Sequence, residues 1–107
     1  MSFSILYTEQ AKRDVRNIYE YIAFSLCEPE TAAGMYRRII EAINSLDNMP
    51  ERCPLYKDEP WHSRGFREMI VKNYIALYLV DKENRTVTVV RGLYGGRDIS
   101  KQLDDTL

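Results

Sequence analysis

Cysteine, histidine and glycine are scarce in this chain, whose 107 residues include two cysteines, one histidine and five glycines. Cys27 and Cys53 lack the paired spacing of a zinc site, and His62 is the one imidazole available to help them, so no structural metal is expected. In a reducing compartment the two thiols read as ordinary side chains, not as a disulfide framework. There is no glycine-rich phosphate loop, no serine or cysteine triad pattern and no zinc-finger spacing, and Gly95-Gly96 is a turn signal only. No apolar run reaches bilayer-spanning length. The first residues, Met-Ser-Phe-Ser-Ile-Leu-Tyr-Thr-Glu, carry neither the basic start nor the apolar stretch of a secretory signal. The expectation is a cytoplasmic protein with no membrane contact and no cofactor.

A surplus of one charge is also missing, since 15 Lys and Arg face 16 Asp and Glu. The balance is nevertheless uneven along the chain. Between residues 61 and 97 seven basic side chains (Arg64, Arg67, Lys72, Lys82, Arg85, Arg91, Arg97) meet three acids (Glu68, Asp81, Glu83), a surplus of four. Such a basic second half suits a polyanion. With 45% apolar residues, the length fits one domain over residues 1–107 that buries a core without staples.

Residues 3–7, Phe-Ser-Ile-Leu-Tyr, are strand formers that stop at Thr8, a good helix cap. Ala11, Val15, Ile18, Tyr19, Ile22 and Leu26 then recur at helical spacing and predict an amphipathic helix ending near Leu26. Glu28-Pro29-Glu30 opens a second helix with apolar positions Ala32, Tyr36, Ile39, Ile43 and Leu46, and the short link makes the pair an antiparallel hairpin. Residues 49–65 hold three of the four prolines, show no period and predict a long surface connection. Strands follow over Phe66–Val71, Tyr74–Val80 and Thr86 toward Tyr94, the middle one apolar enough to be buried on both faces. The predicted class is α+β: a strand, a helix hairpin, then a three-stranded antiparallel meander packed on it, with a short C-terminal helix or tail capped by Asp98. Val15, Ile18, Ile22, Ile39, Ile43, Leu77 and Leu79 are the expected core.

Basic and aromatic residues fall at strand ends. Arg64 and Arg67 open one strand, Arg91, Tyr94 and Arg97 close the last, and antiparallel pairing is expected to bring these ends together. Forked guanidinium groups grip phosphates, and a tyrosine stacks on a base or exchanges a proton, so the set is fit for RNA binding or cleavage. The pattern is not specific, since arginines at strand ends are more commonly solvated surface residues. In a regular strand Arg91 and Tyr94 point oppositely, unless a bulge at Gly92 brings them to one side. His62 is a candidate proton carrier or an incidental loop residue, and Trp61 covers the core or offers a stacking plate.

The order of elements, together with Ala11–Ile22, Glu28-Pro-Glu-Thr-Ala32, Ile43-Asn-Ser-Leu46 before Pro50, Gly65-Phe-Arg67, Tyr74-Ile-Ala-Leu-Tyr78 and Val89-Val-Arg-Gly-Leu-Tyr-Gly-Gly-Arg-Asp98, resembles the RelE/ParE toxin superfamily. The resemblance covers nearly the whole chain, and the long hairpin and closing Arg97-Asp98 look more like the ParE branch. It implies a growth-arresting protein neutralised by a cognate antitoxin that orders on its surface. RelE-branch members cut messenger RNA on the ribosome with basic residues in place of a metal. By position, Arg67 then matches the phosphate-binding arginine, and Tyr94, with Arg91 near it, stands where relatives carry a terminal-strand histidine. ParE-branch members inhibit DNA gyrase. For that activity Arg64, Arg97, Trp61, His62 and the segment 97–107 would be contact surface. A non-toxic interaction module on the same fold is the third implied class.

Overall fold

The computed structural model describes residues 2–94. Arg97, Asp98 and the expected C-terminal helix or tail lie outside the described residues. Strand β1 (Ser4–Tyr7) hands over to helix α1 (Glu9–Glu20) at Thr8. The Thr8 hydroxyl accepts from the Ala11 amide at 3.0 Å, as an N-cap should, and donates to the Val90 carbonyl at 2.8 Å. One side chain thus starts the helix and pins that start to the last strand.

Helix α1 continues into a five-residue π turn, Tyr21–Ser25, in which the Leu26 amide reaches back to the Tyr21 carbonyl at 3.1 Å. A regular helix would have carried Leu26 inward, four residues after buried Ile22. The wider turn inserts an extra residue and rotates the chain beyond it by about 100°. Ile22 and Ala23 are therefore both buried, while Leu26, expected in the apolar stripe, is 48% exposed. Helix α2 (Pro29–Asn44) begins with Pro29 in its first turn and buries Ala32, Ile39 and Ile43. Tyr36, also assigned to that stripe, lies edge-on to Tyr19 at 6.2 Å and remains about half exposed.

Strands β2 (Arg67–Val71), β3 (Tyr74–Asp81) and β4 (Thr86–Tyr94) form the meander, and β1 adds to β4 in parallel, giving the order β1-β4-β3-β2. Period two along β3 sorts the core into two layers. Tyr74, Ala76 and Tyr78 face the helices with Ile18, Ile39, Ile43, Val87 and Val89, whereas Leu77 faces Leu93, Tyr56, Trp61 and Phe66. The proline-rich connection is therefore a second cover for the sheet, with its own aromatic pair, Trp61 and Phe66, at 5.5 Å. Burial of each such side chain stabilises by about 1.5–3 kcal/mol. The middle strand is covered on both faces, and six of the seven expected core residues are buried. Leu79 is only half-buried, because it packs at the margin of the outer cluster whose centre seals Leu77.

Candidate functional site

The β4 register slips between Leu77/Tyr78 of β3, so that Arg91 pairs with Leu77 and Val89 with Tyr78, leaving Val90 unmatched. The bulge therefore lies at Val90 and not at Gly92. Just past it the Arg91 guanidinium meets the carboxylate of Asp14 on α1, with Nε to Oδ2 at 2.8 Å and Nη2 to Oδ1 at 3.4 Å. The Gly92 amide donates to the same Oδ2 at 2.9 Å, and Gln10 Nε2 donates to Oδ1 at 2.8 Å. Both charged side chains are more than nine-tenths buried. This forked pair ties α1 to β4, a bond whose removal on one side strands a charge in the core. Beside it, a Cβ on Gly92 would run into the Tyr74 hydroxyl, which is buried and has no hydrogen-bond partner among the described residues. Burial, then the charge of Asp14, push that hydroxyl's pKa upward.

Arg67 is engaged differently. Its Nη1 donates to the carbonyls of Cys53 at 2.7 Å and Glu51 at 3.2 Å, and its Nη2 lies 3.5 Å from the Glu51 carboxylate. Together with the Tyr78 hydroxyl, which donates to the Pro50 carbonyl at 2.7 Å, it fastens the turn Pro50–Arg52 to the sheet. Tyr94 sits half-buried against the helix layer, its ring edge-on to Tyr21 at 6.1 Å.

These three residues do not share a cluster. Arg67 pairs with Tyr78, and Tyr94 pairs with Tyr74, four residues away along β3 and on its other side. At about 3.3 Å per residue and about 4.8 Å per strand, Arg67 and Tyr94 are separated by roughly 13 Å along the sheet and 10 Å across it. The expectation that the opening of β2 and the close of β4 come together is corrected by topology: the first and third strands of a meander run the same way, so those ends are opposite ends. Trp61 is 5% exposed and covers the outer core, with Arg64 stacked over it at 6.0 Å. His62 is exposed, its Nδ1 2.9 Å from the Tyr56 carbonyl. Among the described residues no three His, Cys, Asp or Glu side chains converge as a metal site, and no helix is long and apolar enough to cross a membrane.

An open groove of about 1010 Å³ lies elsewhere among the described residues, between α1 and α2. Tyr7, Val15, Tyr19, Tyr36 and Ile40 supply its apolar wall, and Lys12, which also pairs with Glu9 at 3.4 Å, Arg16 and Arg37 outnumber Glu41 on a net basic rim. Burial, then neighbouring Tyr36, raise the Tyr7 pKa above its ordinary value, keeping the phenol neutral. No pattern at the strand ends points to these residues. Their signal in the sequence is Arg16 beside Val15 and Tyr19, and Arg37 beside Tyr36 and Ile40, each cation bordering an apolar stripe wider than one helix needs for its core.

The family model for the ParE toxin of the type II toxin–antitoxin system parDE matches residues 5–99. This chain belongs to the ParE toxin family. A search of curated proteins finds no match. Among solved structures, this ParE-family fold is similar to a chain of the chromosomal ParDE system from P. aeruginosa, with TM-score 0.71, 20% identity, and coverage of 87% of this chain and 96% of that one. The toxin–antitoxin complex RelBE2 from Mycobacterium tuberculosis aligns with TM-score 0.62 and 22% identity over 88% and 99% of the two chains. The archaeal RelE–RelB complex from Pyrococcus horikoshii OT3 aligns at 0.61 and 12%, over 92% and 100%. At these identities the likeness is one of fold, shared by both branches of the superfamily.

Proposed function

We propose that this ParE-family toxin arrests growth in the cytoplasm by inhibiting DNA gyrase, and that a cognate antitoxin holds it in check. The observation that carries the target is the engagement of the arginines. A metal-free ribonuclease needs a cation to bind the scissile phosphate and a proton carrier within reach of the same atoms. Here Arg91 is committed to Asp14, Arg67 to the turn Pro50–Arg52, and Tyr94 lies at the far end of the sheet from Arg67. A gyrase inhibitor needs only a complementary surface, and the exposed Arg64 and His62 with the segment 97–107 remain candidates for part of it.

The antitoxin reading rests on the groove. The apolar, largely aromatic wall and the rim of Lys12, Arg16 and Arg37 fit an acidic, amphipathic segment that orders as it binds. Inducing the chain in cells, alone and with any small acidic protein found to be encoded beside it, tests both parts in one culture. Relaxed plasmid with intact message, reversed by the partner, supports the proposal. Codon-positioned cuts in the message with normal plasmid supercoiling would replace gyrase by the ribosome, and unaffected growth would leave a non-toxic module.

A further inference from the structure

The tip of the helix hairpin has a surface unlike that of the groove. Phe24 is 71% exposed and Leu26 48%, although both stand in a turn held by hydrogen bonds from Leu26 to Tyr21, Glu28 to Ile22 and the Cys27 thiol to the Phe24 carbonyl. The apolar pair is displayed by construction. Without the π turn, Leu26 would follow Ile22 into the core. With it, the turn buries Ile22 and Ala23 beneath and leaves Phe24 and Leu26 outside. Cys27, at φ 56°, then closes the link to α2.

Along the hairpin segment that carries this pair the charge has one sign. Between Arg16 and Arg37 the chain carries Glu20, Glu28 and Glu30 and no Lys or Arg, and all three acids are exposed. Glu30 in the first turn of α2 also complements the helix dipole, but that role asks nothing of Phe24 or Leu26. The hairpin therefore carries two apolar surfaces of opposite rim charge: a basic-rimmed groove along its length and an acid-rimmed knob at its end. An acidic antitoxin is complementary to the first and repelled by the second.

We propose that the knob formed by Phe24 and Leu26, with Glu20 and Glu28 beside it, is the apolar anchor of the target contact, docking on a cationic, DNA-handling surface of gyrase. An enzyme that holds DNA presents lysines and arginines to neutralise phosphates, and an acid-rimmed apolar knob matches such a surface in sign while supplying the apolar anchor that dominates interfaces. This inference rests on the gyrase reading and names the part of the toxin that performs it.

The test titrates full-length wild type, the Phe24→Ser/Leu26→Ser variant and the Glu20→Lys/Glu28→Lys variant into a supercoiling reaction with purified gyrase. Circular dichroism and melting midpoints confirm that each variant is folded. Both variants are expected to need at least about tenfold more protein for half-inhibition, a loss typical of removing a central anchor or reversing a steering charge. Inhibition by either variant equal to wild type overturns the proposal while leaving the gyrase reading intact. A wild type that leaves supercoiling untouched overturns the gyrase reading and the knob's role with it. Sedimentation adds a third outcome: a wild-type dimer that the serine variant converts to monomer makes the knob a self-interface and also overturns the proposal.

Discussion

Replacing Asp14 by alanine removes the acceptor of four hydrogen bonds, from Arg91 Nε and Nη2, the Gly92 amide and Gln10, and leaves the Arg91 guanidinium in a site less than one-tenth open to water. Breaking a buried pair from one side costs about 3–5 kcal/mol. A domain of this size has about 5–15 kcal/mol in total. At roughly 4–8 °C per kcal/mol, the melting midpoint should fall by about 12 °C or more. Urea unfolding followed through Trp61, the chain's one tryptophan, measures the loss directly. The double variant Asp14→Leu/Arg91→Met should recover part of it, because no charge is then left buried, while the Gly92 amide still lacks its acceptor. The same measurement separates a structural Arg91 from a phosphate-binding one. A loss below about 1 kcal/mol for Asp14→Ala, the value of an exposed ion pair, would refute the reasoning and return Arg91 to the surface.

Tyr74→Phe, which removes a buried hydroxyl with no partner among the described residues, should raise stability by about 1 kcal/mol in the same assay, and Gly92→Ala should lower it by about 1–3 kcal/mol. Two hydrogen bonds from Ser63 hold the Glu59 carboxyl below its ordinary pKa of 4.5. A depressed acid contributes stability above its unfolded pKa that is lost as pH falls through its folded pKa, so Trp61 fluorescence should report loosening of this loop only below about pH 4.5, and Glu59→Gln should remove that step. Arg16→Glu/Arg37→Glu, which reverses two charges on the groove rim, should weaken capture by the co-expressed antitoxin at least about tenfold while leaving the melting midpoint within a few degrees.

Most of the fold is legible in the sequence because its signals are periodic. The α1 and α2 stripes, the apolar β3 and the two-residue turn at Lys72-Asn73 each follow from spacing. Spacing does not carry an insertion within an element, and the π turn and the bulge at Val90 each shift the residues beyond them by one position. That shift exposes Leu26. The site is less legible for a related reason. Strand ends that look like neighbours by sequence position need not meet, because direction in a meander decides which ends come together. One clue is in plain view: Asp14 lies on the buried face of α1 between Ala11 and Ile18, and a charge there calls for a partner in the core. Arg91, two residues after buried Val89, is the matching half.

The most direct test of the central claim divides one preparation of the purified full-length chain between two reactions: supercoiling of relaxed plasmid by gyrase, and translation of a defined message by ribosomes. Supercoiling that falls with increasing toxin, alongside a full-length message at every concentration, is the predicted result. Message cut at codon positions in the ribosome reaction, with supercoiling unchanged, would contradict the account.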